Sequence, residues 1–314
     1  MNVHDWTEMR IVFMGTPEFA VPSLEALVEG GYKPVAVVTG PDRRRGRGRK
    51  LQPTAVKQAA ERLDIRTILQ PDSIKDPAFA STIDALDCDL HVVVAFRILP
   101  RTVFMSARLG AFNLHASLLP KFRGAAPINR ALMAGATQTG VTTFFLKEKV
   151  DTGNIILQWP TAILPHETAG DLHDRLARLG ARAVLETTRR IAGGRAKTYG
   201  QDDVQATPAP KIFRGDCRIP WEQPAEAVHN HCRGLAPYPG AWTPWKSTTL
   251  KILETKVTRG KGEPGTVLKA NGSLVIACKT GAIAVARLQA PGQRVLEVRD
   301  FLNGYPISPG TILT

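Results

Sequence analysis

Through the first 190 residues, short apolar runs alternate with stretches of helical periodicity, and this alternation constrains the fold more than any other feature of the chain. Ile11 to Met14, Val35 to Thr39, Ile65 to Leu69 and Val92 to Phe96 are runs short enough for strands buried on both faces. Between them, the segments at about 22–29, 54–63 and 76–86 space their apolar residues three and four apart, as helices do. Strand and helix in alternation predict a parallel sheet with crossover helices. The first turn, Gly15-Thr16-Pro17-Glu18, lacks the GxGxxG of a dinucleotide site. Pro17 also removes a backbone donor where a pyrophosphate needs one, so NAD or FAD binding is disfavoured.

A further strand at Val141 to Leu146, an extended stretch from Ile155 to Ile163 and a helix from about Thr168 to Ile191 complete a first domain over 1–192. Residues 193–215 carry three glycine-containing breaks, two prolines and no apolar periodicity, which is the composition of a linker. From 216 to 314 the pattern changes to short strands, at Leu250 to Val257, Thr266 to Leu268, Leu274 to Cys278 and Ile283 to Leu288, with turns at Asn271-Gly272 and Thr280-Gly281. Such spacing predicts a small barrel. Three of the five tryptophans, Trp221, Trp242 and Trp245, fall here, which suits an oligonucleotide-binding fold and equally an ordinary barrel core.

Charge bears on the partner. With 41 Lys and Arg against 28 Asp and Glu, the net charge is +13, and a polyanionic partner is expected. The first 190 residues carry 25 basic and 19 acidic side chains and the last 124 carry 16 and 9, so the second part is about twice as densely charged. The stretch from 43 to 50 is denser still: Arg43, Arg44, Arg45, Arg47, Arg49 and Lys50 are interrupted only by Gly46 and Gly48. Read alone, it is a solvated loop without preferred shape, whose guanidinium forks suit phosphates and which orders on RNA. Lys211, Arg214, Arg218, Arg233, Lys246 and Lys251 add to the basic character of the linker and second domain. The cysteines, Cys88, Cys217, Cys232 and Cys278, form no CxxC pair, so no zinc ribbon is expected and a reducing cytoplasm is the simplest compartment. His229-Asn230-His231-Cys232 has no second ligand cluster to make a metal site. Asp5 and Glu8 speak against a signal peptide, and no apolar run approaches the roughly 18 to 20 residues a bilayer span needs, so no membrane association is expected.

The densest constellation of polar residues that can carry chemistry is Gly110-Ala111-Phe112-Asn113-Leu114-His115, followed by SLLP at 117–120 and by KFRGAAPI at 121–128. Alternation along a strand puts Asn113 and His115 on one face, and the carboxyl end of a parallel strand is where open α/β sheets expose their ligand crevice. By itself an Asn-x-His pair is more often a hydrogen-bonded strand end. Val150-Asp151-Thr152-Gly153-Asn154 is a turn after an apolar strand, where Asp151 is either a turn residue or a carboxylate that orients a histidine.

The run NLHASLLPKFRGAAPINRAL, the DTG 36 residues after His115, and the opening RIVFMGTPEFAVPSLEAL resemble the methionyl-tRNA formyltransferases, within the folate-dependent formyltransferase group. The resemblance extends over almost the whole chain. It implies a Rossmann-like parallel-sheet domain followed by an OB-fold-like β-barrel. It also implies transfer of a formyl group from 10-formyltetrahydrofolate to the amino group of methionine on initiator tRNA, with no metal, by a cytoplasmic monomer. Asn113, His115 and Asp151 then take the catalytic positions: an amide donor for the developing oxyanion, an imidazole that adds a second interaction there and relays protons, and an acid-base partner. Ser117, Leu118, Leu119 and Pro120 match the segment that lines the folate site, and the basic stretch 43–50 matches the loop that grips the tRNA acceptor arm. The chain departs from the family's pattern at Phe145 to Lys149, which precede the DTG, at Asn154, and at Arg97, where a glycine is expected. These changes leave the three catalytic positions in place and fall at the contour of the expected folate pocket.

Overall fold

The computed structural model describes residues 9–45, 48 and 50–313. Residues 1–8, 46, 47, 49 and 314 lie outside the described residues, and with them Arg47 and Arg49 of the basic stretch. The chain divides into two compact units. The first runs up to Gly124 and includes Thr139–Thr161 and His173–Pro208; the second comprises Ala125–Gln138, Ala162–Leu172 and Ala209–Thr314.

In chain order the elements up to residue 192 are β1 (Ile11–Gly15), α1 (Val21–Glu29), β2 (Ala36–Val38), β3 (Arg43–Arg45), β4 (Lys50–Gln52), α2 (Ala55–Arg62), β5 (Ile68–Leu69), α3 (Pro77–Asp84), β6 (Leu90–Val94), α4 (Arg101–Phe104), β7 (Ala111–His115), α5 (Pro127–Met133), β8 (Gln138–Phe145), β9 (Ile155–Ala162) and α6 (Ala169–Ala192). The main sheet has the order β5-β2-β1-β6-β7-β8-β9. Five of its strands are parallel, as the alternation predicts, while β8 runs antiparallel to β7 and makes the sheet mixed. The β1, β6 and β2 strands are wholly buried, which is why they read as unbroken apolar runs rather than as alternating ones. Strand order reverses between β1 and β6, and the carboxyl end of β7 lies one strand from that switch point, on the edge where ligand crevices form.

On β7, Phe112 and Leu114 point into the core, and Asn113 and His115 share the other face. Leu114 is held from behind by α6: a Cβ added at Gly180 would stand 2.5 Å from a Leu114 methyl group. A side chain at 180 would thus press on the strand residue between the two polar ones.

The described ends of the basic stretch have a shape that its composition does not suggest. β3 and β4 form an antiparallel hairpin in the register Arg43↔Gln52, Arg44↔Leu51 and Arg45↔Lys50. A ladder of backbone hydrogen bonds needs no apolar side chains, so the pairing leaves no hydrophobic period to read. The hairpin's root is cross-braced. Lys57 Nζ reaches Asp42 Oδ2 at 2.8 Å and Gln70 Oε1 at 2.9 Å, and Gln70 Nε2 donates to Asp42 Oδ1 at 2.7 Å and to the Gly40 carbonyl at 2.8 Å. The Gln70 amide and then the Lys57 ammonium hold the Asp42 carboxyl below the usual carboxylate range.

The second unit is built on α7 (Ala225–Leu235), β10 (Ala241–Trp245), β11 (Thr248–Thr258), β12 (Val267–Lys269), β13 (Leu274–Ala277), β14 (Ala282–Gln289), β15 (Leu296–Glu297) and α8 (Val298–Gly304). Its strands form one curled antiparallel sheet in the order β10-β11-β14-β13-β12, with β15 on β14. Register shifts between Ile252 and Thr255 bend the long β11, and there its in-out alternation slips, Ile252 and Leu253 both being buried. The core gathers Trp221, Val228, Leu250, Ile276, Ile283 and Phe301. Here His229 Nδ1 lies 2.8 Å from the Thr255 hydroxyl, and His231 is buried.

One buried titratable group in the first unit sets a pH limit on stability. Burial pushes the Cys88 thiol up to about 11, so it stays protonated, and its Sγ lies 2.9 Å from His91 Nε2. His91 is fully buried on β6, and burial pushes its pKa down from 6.5 to about 4. The unfolded chain therefore binds this proton first as the pH falls, and stability is lost through the window from 6.5 to about 4. Urea unfolding at about pH 7 and pH 4.5 is expected to lose about 2.5 kcal/mol less in His91→Phe than in the parent.

Candidate active site

The turn between β8 and β9 brings Asp151 back to the end of β7. Asp151 Oδ2 accepts the Gly124 backbone N–H at 2.8 Å and stands 3.7 Å from His115 Nδ1. Both side chains are nearly enclosed, 7% exposed for His115 and 11% for Asp151, so the pair is only weakly screened by water. His115 Nε2 lies 2.8 Å from the Phe122 carbonyl. A carbonyl can only accept, so Nε2 carries a proton, and Nδ1 is the ring nitrogen that faces the carboxylate. Both ring nitrogens thus face protein groups. Asn113, half-buried on the same face of β7, has no hydrogen-bond partner for its carboxamide among the described residues. That leaves a donor facing the crevice.

The backbone around the pair adopts conformations that most residues avoid. Asp151 has φ +55°, Phe122 +59° and Gly124 +127°. Gly153 has no room for a side chain, because a Cβ there would run into the Phe145 carbonyl. The glycine of the DTG is therefore required by close approach of two backbones.

Ser117 to Pro120 lie beside this pair and are themselves knitted to the sheet. The Leu119 N–H donates to Thr142 Oγ1 at 3.1 Å, Thr142 Oγ1 donates to the Ser117 carbonyl at 2.6 Å, and Gln158 Nε2 donates to the Leu119 carbonyl at 2.7 Å. Ser117 is buried, its hydroxyl donating to the Lys121 carbonyl at 2.6 Å, and Leu119 packs with Phe144 and Ile155. Leu118 and Pro120 keep part of their surface open. Two of the residues that break the family's pattern pair with each other, Lys147 Nζ with Asn154 Oδ1 at 2.8 Å, and Arg97 donates to the carbonyls of Pro71 and Asp72 at 2.8 and 3.0 Å. Among the described residues no three His, Cys, Asp or Glu side chains gather as metal ligands.

Sequence reasoning missed the Gly124 N–H and the Phe122 carbonyl, which are backbone groups with no letter of their own. It also missed Thr142, Gln158 and the segment 199–208. This segment reads as linker, yet Tyr199 is bridged to Ile155 through both backbone groups, and its hydroxyl donates to Gln158 at 3.0 Å. Of the basic residues, Arg43, Arg44 and Lys50 are exposed or partly exposed on the hairpin, and Arg45 lies within β3.

β7 carries Asn113 and His115 on one face, the Asp151 carboxylate stands 3.7 Å from the imidazole, and comparison with known proteins gives the class. Residues 9–188 match the formyl transferase family model and residues 211–306 match its C-terminal domain. The chain belongs to the formyl transferase family. It is 49% identical over 305 residues to a methionyl-tRNA formyltransferase of Chlorobium luteolum, covering 95% of this chain and 97% of the relative. It is 44% identical over 314 residues to a methionyl-tRNA formyltransferase of Porphyromonas gingivalis, covering 96% and 97%. In fold it is similar to an N-formyltransferase from Helicobacter canadensis solved with folinic acid and dTDP-3-aminofucose, with a TM-score of 0.68 and 18% identity over 90% of this chain and all of that one.

The tight Gly153 turn generates a first check on the site. Gly153→Ala is expected to lower stability by about 1–3 kcal/mol, read as an earlier urea midpoint, because the new methyl group cannot fit without moving the turn.

Proposed function

We propose that this protein transfers the formyl group of 10-formyltetrahydrofolate to the α-amino group of methionine esterified to initiator tRNA. The observation that carries this reading is the His115–Asp151 pair at 3.7 Å beside the unpartnered Asn113 amide, in a chain nearly half identical to methionyl-tRNA formyltransferases over their full length. The formyl donor supplies an activated one-carbon acyl group. The protein's part is to orient the amine, stabilise the oxygen that gains charge and remove a proton. The Asn113 amide N–H donates to that oxygen, and a donor of this kind typically contributes roughly 3 kcal/mol to lowering a barrier. Asp151 and His115 Nδ1 take the proton leaving the amine as its nitrogen bonds the formyl carbon, and they return a proton to the folate nitrogen as that nitrogen's bond to the formyl carbon breaks, with Nε2 on the Phe122 carbonyl to fix the ring. The half-open Leu118 and Pro120 offer apolar surface to a flat pterin.

The acceptor is read from charge. Arg43, Arg44 and Lys50 stand on a braced hairpin, a form suited to the phosphates of an acceptor arm. An enzyme for a small amine has no use for such a hairpin, and the likeness to the sugar N-formyltransferase extends to the fold alone. We further propose the division into a formyltransferase domain at 1–192, a linker at 193–215 and a tRNA-binding domain at 216–314, in a monomer working in the cytoplasm. No helix among the described residues is long and apolar enough to cross a membrane, and the four cysteines are free and buried.

The test is formylation of charged initiator tRNA with elongator methionyl-tRNA as control. Transfer to the initiator alone supports the reading, and equal transfer to both overturns the acceptor assignment. His115→Ala is expected to lower turnover by roughly two to four orders of magnitude with folate still bound. Replacing Arg43, Arg44, Arg45, Arg47, Arg49 and Lys50 by Ala is expected to weaken tRNA binding and to flatten its dependence on salt. The slope of log K against log salt should fall by roughly 1 for each phosphate that the protein no longer neutralises.

A further inference from the structure

We infer that Gln201, in a stretch whose composition reads as linker, is a positioning residue that holds both sides of the His115–Asp151 pair. Its carboxamide is divided between them. Nε2 donates to the carbonyl of Asp151 itself at 2.9 Å and to that of Gly153 at 2.9 Å, so one amide group clasps the turn that carries the carboxylate. Oε1 accepts Arg123 Nε at 3.0 Å and Nη2 at 2.7 Å. Arg123 lies between the two backbone groups that touch the pair: the Phe122 carbonyl against His115 Nε2 and the Gly124 N–H on Asp151 Oδ2.

Three observations make this more than a surface contact. Asp151 and Phe122 are both in the left-handed region, where a side chain is unfavourable, so these turns need outside support to keep their shape. Gln201 is half-buried, and the Arg123 side chain is 13% exposed, so the bonds between them are partly shielded from competing water. The same segment also secures the Arg123 loop beyond the side chain: Thr207 Oγ1 accepts the Phe122 N–H at 2.8 Å, its carbonyl accepts the Arg123 N–H at 2.9 Å, and Asp203 pairs with Arg123 Nη2 at 2.7 Å. Of these three residues, Gln201 is the one that reaches the Asp151 turn as well. An amide is the group this place requires, because it must donate to two carbonyls on one side and accept from a guanidinium on the other. A carboxylate could do only the second.

The inference rests on the reading that Asp151 and His115 carry the chemistry, and the experiment separates the two. Gln201→Met and Gln201→Glu are compared with the parent in formyl transfer to charged initiator tRNA and by NMR of the Gly124 amide, whose hydrogen bond to Asp151 reports the turn directly. Both variants are expected to lose about tenfold to 100-fold in kcat, with KM for tRNA and for the formyl donor changed less than about twofold, because geometry is lost and binding surface is not. Gln201→Glu keeps the acceptor for Arg123, so its loss of kcat isolates the donation to the Asp151 and Gly153 carbonyls. In an Asp151→Asn background, Gln201→Met should add less than about threefold, since the two residues act as one unit. The Gly124 amide resonance should move upfield in both variants. A kcat within about twofold of the parent, a full further loss in the Asp151→Asn background, or an unmoved Gly124 resonance overturns the inference. If the parent protein itself transfers no formyl group, the functional reading fails, and the Gly124 resonance still decides whether Gln201 holds the turn.

Discussion

The site depends on one carboxylate being held where a strand cannot hold it. Asp151 is on a turn, 36 positions from the histidine it faces, and its Oδ2 is fixed by the Gly124 N–H at 2.8 Å with His115 Nδ1 at 3.7 Å. β7 sets the imidazole, as its alternation sends His115 and Asn113 to one face while Leu114 is pinned from behind at Gly180 of α6. The carboxylate has no such support from a ladder. It relies on a backbone donor in a loop, on a glycine that lets two backbones meet, and on a left-handed turn that its neighbours must over-determine.

This arrangement explains why so much polar bonding surrounds the His115–Asp151 pair. The SLLP segment engages its backbone groups with Thr142 and Gln158, Tyr199 reaches Gln158 from outside, and Gln201 and Thr207 secure the loop that supplies Gly124. Each of these bonds contributes modestly, but together they fix orientations that a reacting group requires to within a fraction of an ångström. The basic hairpin follows the same logic at its root, where Asp42, Lys57 and Gln70 brace the strands that display the arginines. A braced hairpin presents its guanidinium groups with less ordering cost than a loop that must fold on its partner.

Much of this was legible from the chain. The strands β1, β6, β11 and β14 stand where apolar runs or short β-rich segments place them, because burial on both faces or on one leaves a period in the sequence. Asn113 and His115 share a face because the strand period is two. The link from His115 to Asp151 was legible only through resemblance, since no local rule connects a strand end to a turn 36 residues later. The pairing of β3 with β4 and the bonds made by the segment 199–208 were not legible, because the order there comes from hydrogen bonds rather than from buried apolar area.

The sequence by itself determined the alternating architecture of the first unit, the strand-rich second unit and the charge. These follow from hydrophobic periodicity and from composition, which are local properties of a chain. Only the tertiary structure decided which nitrogen of His115 faces the carboxylate, which backbone N–H holds Asp151, and that Gln201 reaches both sides of the pair. Those are directional bonds between groups far apart in sequence, many of them backbone atoms that every residue carries, so their partners exist only once the chain has closed on itself.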